Sequence, residues 1–237
     1  MLADIHQELK LLANPTKAKV LQGFFKTSKG HYGHGDMFYG IQVPHTKNVC
    51  KKYFSLSLKD AQSLLYSPVH EERLASLFIL VDQYQRAKKN KNAALQQRIV
   101  NFYLQHARQV NNWDLVDSSA DKILGDCLLD RDKSVLLKLA HSNNLWEKRI
   151  SIIATFAFIK NGQSEWTFKI AKLLLRDEHD LIHKAVGWML REVGKRVSQK
   201  EEETFLKKHA AHMPRTMLRY AIEKFEPKKR LYYLKMK

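Results

Sequence analysis

The sequence has few cysteines, and they do not form a cluster. Its 237 residues include only two, Cys50 and Cys127, which are 77 positions apart. Two isolated cysteines cannot build the multi-disulfide framework of a small secreted domain, and they lack the paired spacing of a structural zinc site. Cysteine usage therefore excludes both classes of protein and is typical of a chain in a reducing cytosol.

Long apolar runs are also absent. The longest, 152–159, is interrupted by Thr155, and it is far shorter than the roughly 20 residues that a membrane-spanning helix needs. Near the N-terminus, Asp4 and Glu8 lie where a secretory signal peptide carries positive charge followed by an apolar stretch. We therefore expect a cytoplasmic protein with no membrane association.

Acidic residues are scarce relative to basic ones. The chain has 41 Lys and Arg against 24 Asp and Glu, which gives a formal net charge of +17. Both halves of the chain are basic, so the excess is not confined to a detachable tail. Such an excess repels itself and predicts a polyanionic partner. Nucleic acid is the first candidate; the second is an anionic membrane surface, which would require a basic stripe beside Trp, Phe and Leu.

Strand-like alternation is missing, whereas helical periodicity runs through nearly the whole chain. Only 38–43 could form a short extended piece, and the glycine-rich stretch 27–40 predicts a long connecting loop. One apolar set with helical spacing is Leu74, Leu77, Phe78 and Val81, and a second is Ile150, Ile153, Ala154 and Ala157.

A short motif, a basic residue followed by a spacer and a small residue, recurs along the chain. Its copies begin at Arg73, Arg149, His183 and Arg219, with gaps of 76, 34 and 36 residues. This spacing is typical of stacked helix pairs. We predict a single all-α domain over residues 1–237, a HEAT-like repeat superhelix (α-solenoid) of antiparallel helix pairs with a basic concave face. The alternative is a compact helical bundle whose repeats are accidental.

The segment 111–118 carries the first candidate site. If Asn112 caps a helix, Trp113 and Asp117 are four residues apart on one face. A carboxylate in a basic groove is best tolerated where it meets positive charge, because phosphates repel it. The structural alternative is a solvated Asp117 beside a packed Trp113. The core stripe predicted for this helix is Val116, Ala120, Ile123 and Cys127.

The second candidate site lies in the segment 183–192. Lys184, Trp188 and Arg191 share one helix face, and Gly187 would let a neighbouring helix approach closely. An indole between cations suits a nucleic-acid groove, because the ring can contact sugar or base while the cations hold phosphate. The alternative is a core tryptophan with solvated neighbours.

A third candidate is the predicted helix start at 144–149. Free N–H groups there attract phosphate, and Lys148 and Arg149 could add contacts. The alternative for Arg149 is an ordinary salt bridge. His31, His34 and Asp36 could bind a metal, but no further ligands cluster with them. We therefore expect no metal and no cofactor.

Taken in order, these segments resemble the AlkD-type DNA glycosylases of the bacterial DNA alkylation repair group, which are built from HEAT-like repeats. The resemblance covers most of the chain. It rests on Phe24-Phe25-Lys26-Thr27 with the glycine-rich 30–44, on Trp113-Asp114-Leu115-Val116-Asp117, on Trp146-Glu147-Lys148-Arg149, and on 184–192.

The resemblance implies a role for each candidate residue. Asp117 would be the catalytic carboxylate, Trp113 and Trp188 would flank the lesion, and Phe24 would lie on the DNA where some members have Tyr. Related subfamilies that lose the Trp/Asp set are thought not to be glycosylases, whereas this chain keeps it. The expected DNA contacts are Phe24, Lys148, Arg149, Lys184, Arg191, Arg215 and Arg219.

The activity that the resemblance implies is excision of cationic N3- or N7-alkylated purines from duplex DNA. The enzyme would be a monofunctional glycosylase that works without base flipping and as a monomer. An alkylated purine departs as a neutral base, so the enzyme must mainly stabilise positive charge on the sugar. Two alternatives are a non-catalytic HEAT-repeat paralogue that binds unusual DNA structures, and a protein scaffold with an acidic partner.

Overall fold

The computed structural model describes residues 1–236, which form helices joined by short connections. Within that range the chain has no β-strand; the extended pairing it does contain is one isolated parallel bridge between Met37 and Val69. None of the helices formed by these residues combines the length and the apolar character that crossing a membrane requires. The chain divides into two compact units, one ending at Ser119 and one beginning at Ala120.

The first unit contains six helices and nearly all of a seventh. They are α1 (Leu2–Leu11), α2 (Pro15–Phe24), α3 (Val43–Cys50), α4 (Leu58–Leu65), α5 (His70–Lys89), α6 (Ala93–Gln105) and α7 (Trp113–Ala120). The predicted long loop is confirmed, because no helix lies between Phe24 and Val43. Helix α2 begins where Asn14 accepts a hydrogen bond from Lys17 N, and it buries none of its own side chains.

The second unit is built around a long central helix. Its helices are α8 (Ser134–Ala140), α9 (Leu145–Ala154), α10 (Phe156–Lys160), α11 (Glu165–Leu174), α12 (Asp180–Arg196), α13 (Gln199–His209), α14 (Arg215–Ala221) and α15 (Pro227–Lys235), preceded by a π-helical turn at Asp121–Gly125. Helix α12 packs against α9, α11, α13 and α14. Neighbouring helices pack in pairs, as in a solenoid-like repeat fold, which confirms the predicted all-α fold class.

Apolar periodicity places most of the core as the sequence predicted, but Phe78 and Val81 are only half-buried, while Ile79 and Leu80 of α5 are fully buried. Leu74 and Leu77 of α5 are fully buried, and so are Ile150 and Ile153 of α9. The stripe predicted from Val116 to Cys127 is buried as well, with Cys127 the most exposed of its members at 9%. Burying a side chain of this size contributes roughly 1.5–3 kcal/mol, so the apolar stripes fix which face of each helix turns inward.

Gly187 allows α12 and α14 to approach closely, as predicted. A Cβ atom at this position would collide with the backbone oxygen of Met217 and with the Cβ of Tyr220. Because one obstacle is backbone, a side-chain rotation cannot relieve the collision. Glycine is therefore required at this point of the helix, despite its cost of about 1 kcal/mol in helix propensity.

We expect Gly187→Ala to destabilise the protein by about 1–3 kcal/mol, because α14 must shift to admit the methyl group. The measurement is the free energy of unfolding in urea. Gly23→Ala on α2 is the matched control: a Cβ atom added there would meet nothing within 4 Å, so this variant should keep or slightly gain stability. Equal stability of the two variants would contradict the close approach.

Candidate functional site

Trp113 lies in an aromatic cluster within the first unit. Its ring stacks on Phe25, with centroids 5.3 Å apart, and meets the ring of Phe24 edge-on at 5.9 Å. Phe25 is buried, whereas Phe24 is 62% exposed. The structure thus brings together two residues that the sequence placed at the site, and their rings form a partly exposed apolar surface.

Asp117 follows Trp113 by one turn of α7. Both side chains are half-buried, while Leu115 and Val116 between them are fully buried. Asn112 precedes the helix, and its Oδ1 accepts a hydrogen bond from Trp113 N at 2.8 Å. The helical spacing predicted for Trp113 and Asp117 is therefore present, with both residues on the flank of the helix rather than in its core.

Four consecutive polar or charged residues, His70, Glu71, Glu72 and Arg73, are buried in the first turn of α5. Glu71 accepts hydrogen bonds from the backbone N–H groups of Gly40 (2.8 Å) and of its two neighbours. Carboxylates in this position are favoured by the partial positive charge of a helix N-terminus. This turn therefore holds the end of the long loop against α5.

His70 connects this turn to α7. Its Nε2 lies 2.8 Å from Asp114 Oδ2, and its Nδ1 lies 3.3 Å from Asp36 Oδ2. The imidazole also packs against the rings of Phe25 and Phe38, each at 4.7 Å. Because Asp114 is the neighbour of Trp113, His70 links the start of α7 to the helix beneath the aromatic cluster. Sequence reasoning missed this residue.

Asp36 is the centre of the buried polar network. Arg73 Nη2 lies 2.7 Å from Asp36 Oδ1, and Asn112 Nδ2 donates to Asp36 Oδ2 at 3.0 Å. The side chains of Arg73 and Asp36 are only 4% and 8% exposed. Asp36 thus ties the loop to α5 and to the residue before α7.

The metal interpretation of Asp36 with His31 and His34 gains no support. The Asp36 carboxylate already pairs with the buried Arg73, whereas both histidines are exposed. Among residues 1–236 no three His, Cys, Asp or Glu side chains come together in a group that could hold a metal ion.

The network shifts the pKa values of both its acid and its imidazole. Burial by itself lowers the pKa of His70, but the charge of Asp114 and the hydrogen bonds to Asp114 and Asp36 outweigh it, so the pKa is raised. Burial raises the pKa of Asp36, but the hydrogen bond with His70 and the charge of Arg73 bring it below its ordinary value. Both shifts favour the charged forms.

Trp188 lies half-buried on α12 in the second unit. Its Nε1 donates to Glu192 Oε1 at 3.3 Å, and its ring packs against Phe156 at 5.9 Å. Lys184 pairs with Asp180 at 2.7 Å, and Arg191 pairs with Glu192 and Glu223. The predicted set of an indole and two cations is therefore present on one helix, with an acidic partner beside each cation.

Arg149 is not where the sequence suggested. It is 4% exposed, and its Nη1 donates to the backbone oxygen of Leu181 at 2.6 Å. It joins α9 to α12 inside the fold and does not present its guanidinium to a phosphate. The helix start itself is also occupied, because Asn144 accepts hydrogen bonds from Trp146 N and Glu147 N.

The remaining predicted cations lie nearer the surface. Lys148 is half-buried and pairs with Asp177. Arg215 and Arg219 are exposed on α14, one turn apart, and Arg215 Nη2 donates to Leu234 O at 2.6 Å. Helix α14 packs on α12, the helix that carries Lys184 and Arg191.

Comparison with known proteins gives a family and a fold. The family model described as DNA alkylation repair enzyme matches residues 5–225. A solved structure described as a predicted DNA alkylation repair enzyme from Enterococcus faecalis superimposes with a TM-score of 0.68, covering 91% of this chain and 97% of the other at 16% sequence identity. At that identity the likeness shows the fold alone. No curated protein matches the chain in sequence.

We expect Asp36→Asn to destabilise the protein by about 3–5 kcal/mol, because it leaves the buried Arg73 without its charge partner. Urea unfolding measures the change. Asp82→Asn is the matched control, since Asp82 pairs with Arg86 at the surface with both side chains at least 40% exposed. The control should lose less than about 1 kcal/mol. A comparable loss in the two variants would refute the structural role assigned to the buried pair.

The raised pKa of His70 predicts a particular pH dependence of stability. The contribution of the charged imidazole is complete below its ordinary pKa of 6.5 and is lost as the pH rises through the raised value. The difference in unfolding free energy between wild type and His70→Gln should therefore shrink as the pH increases from slightly acidic to alkaline. His45→Gln, at an exposed position of α3, should track the wild type throughout. A difference that grows with pH would show that His70 is buried neutral.

Proposed function

The chain belongs to the DNA alkylation repair enzyme family, and we propose that it is a monofunctional DNA glycosylase for cationic N3- and N7-alkylated purines in duplex DNA. Family membership gives it a role in the repair of alkylated DNA. The observation that carries the finer proposal is the placement of a half-buried carboxylate, Asp117, one turn from Trp113 on α7. The exposed ring of Phe24 borders Trp113.

Excision of a cationic purine requires an ionised carboxylate more than it requires a general acid that donates a proton. An N3- or N7-alkylated purine carries a positive charge and departs as a neutral base without protonation. The main requirement is to stabilise the oxocarbenium character that develops on the deoxyribose, and a preorganised carboxylate does so electrostatically. Asp117 supplies that charge and orients the attacking water. Water forms the new bond to the anomeric carbon as the bond to the purine nitrogen breaks; the bonding electrons leave with the neutral base, and the proton lost by the water passes to the solvent.

The tryptophans stabilise the same charge from the side. Electron-rich ring faces attract cations, by about 0.5–2 kcal/mol depending on how dry the site is. In our proposal Trp113 offers such a face to the cationic sugar and base, and the same role for Trp188 stays a prediction from the resemblance. Phe24, which carries no hydroxyl group, contributes apolar contact only. Since Phe24 is largely exposed, the lesion meets a surface, and excision proceeds without flipping the base into an enclosed pocket.

DNA backbone contacts come from cations of the second unit in this proposal. Arg215 and Arg219 are exposed, and Lys148, Lys184 and Arg191 lie beside acidic partners. The Lys184–Asp180 pair is exposed, and such a surface pair contributes only about 0–1 kcal/mol, so a phosphate can replace that carboxylate at little cost. Arg149 is excluded from the contact set because it is buried.

Release of 7-methylguanine from methylated duplex DNA tests the proposal. Wild type should release the base, and Asp117→Asn should lower the single-turnover rate by about 10²–10³-fold, the usual loss when one electrostatic stabiliser is removed. Asp82→Asn, which removes an exposed carboxylate of α5, serves as the matched control and should retain the wild-type rate. The product strand should stay intact until base is added, as a monofunctional enzyme requires.

A second set of outcomes would decide for the non-catalytic paralogue. That protein would bind duplex DNA with a steep salt dependence, release no base, and show no difference between wild type and Asp117→Asn. If neither base release nor salt-sensitive DNA binding is observed, the scaffold alternative gains and the glycosylase proposal fails.

A further inference from the structure

A groove between α11 and α13 has an aromatic floor. Phe168 of α11 stacks on Phe205 of α13, with centroids 5.2 Å apart and planes 16° apart. His209, one turn further along α13, packs on the same Phe205 ring at 4.6 Å. Phe205 is buried and Phe168 is half-buried, so the floor is apolar and Phe168 is the ring that solvent reaches.

The rim of this groove is cationic. Lys169 and Lys172 from α11 and Lys208 from α13 line it, and all three are exposed. Burial lowers the pKa of His209, and the charges of Lys172 and Lys208 lower it further, which is the expected effect of two ammonium groups close to the imidazole. The rim also holds one acidic residue, Glu201, whose carboxylate binds the Ser164 hydroxyl.

The rim lysines differ from the cations assigned to DNA. Lys148 and Lys184 each have a carboxylate beside them, whereas within residues 1–236 no ion pair involves Lys169, Lys172 or Lys208. Lys169 lies over the ring of Trp166, with Nζ 4.3 Å from the centroid, so what the three lysines lack is a carboxylate, which a partner could supply.

The groove also lies on other helices than the proposed DNA contacts. The contacts proposed in this unit belong to α9, α12 and α14, whereas the groove is formed by α11 and α13. The proposed function accordingly makes no use of it.

We infer that this groove binds an acidic peptide segment of a partner protein that carries a large apolar or aromatic side chain. The carboxylates would meet Lys169, Lys172 and Lys208, and the apolar side chain would pack on Phe168. Aromatic anchors in the centre and charged residues at the rim are the usual organisation of a protein–protein contact.

Charge and ring geometry favour this occupant over two others. A second copy of the chain carries a net charge of +17 and would be repelled. Nucleic acid on such a floor would bind by stacking its bases on free ring faces, but Phe205 is buried, and Phe168 and His209 already pack on its ring.

Binding of a labelled peptide to the full-length protein tests the inference. The probe is a short fluorescein-labelled peptide of Asp and Glu residues around a central Phe-Leu pair, and a second probe of equal charge has Ser-Ser in its place. We expect the double variant Lys172→Glu/Lys208→Glu to bind the Phe-Leu probe at least about tenfold more weakly than wild type, as measured by fluorescence anisotropy. Lys89→Glu/Lys138→Glu makes the same change in net charge at exposed positions of α5 and α8 and should retain binding within about twofold.

Three results would overturn the inference. Absence of saturable binding to wild type is the first. Equal affinity for the two probes is the second, because it would show attraction to the overall positive charge rather than to the groove. A larger loss of duplex-DNA affinity than of peptide affinity in Lys172→Glu/Lys208→Glu is the third, and it would assign the groove to nucleic acid. None of these results depends on whether the protein releases alkylated bases.

Discussion

The burial of charge in the first turn of α5 is the constraint on which the rest of the first unit depends. His70, Glu71, Glu72 and Arg73 are each less than 5% exposed, and an unpaired charge in such a position costs several kcal/mol. The fold meets that cost by bringing partners from distant parts of the chain: the loop supplies Asp36 and backbone N–H groups, and the start of α7 supplies Asp114. The orientation of Trp113 follows from this pairing.

The second unit depends on the apolar packing of its central helix rather than on buried charge. Its central helix α12 is apolar on the faces that meet α9 and α14, and Gly187 allows the second of these contacts. Its cations are kept in place by carboxylates of the same helix or of its neighbours. Such pairs restrict long side chains and so, in the proposed function, reduce the entropy lost when a phosphate replaces the carboxylate.

The predictions that the structure confirms rest on the local pattern of apolar and polar residues. Those that failed depend on contacts between residues far apart in the sequence. Helical periodicity gave the all-α class, the flank position shared by Trp113 and Asp117, and the close approach at Gly187. It gave no signal for His70, because the two carboxylates beside this residue lie 34 and 44 positions away. The prediction that Arg149 contacts DNA was wrong for a similar reason. The local sequence of a basic residue near the start of a helix is the same whether its guanidinium reaches solvent or the carbonyl of another helix.

Helix α2 carries Phe24 of the candidate site but contributes no buried side chain to the core. Its attachment includes a backbone hydrogen bond from Asn14 to Tyr39 O at 2.7 Å. Elements with few buried apolar contacts open at a fraction of the free energy of global unfolding. Phe24 belongs to a helix with few buried contacts that is anchored at its end by the buried Phe25, whereas the start of the helix that carries Trp113 is held by the buried charges. In the proposed function, the ring of Phe24 can therefore shift to admit a larger adduct at a lower free-energy cost than Trp113 or Asp117.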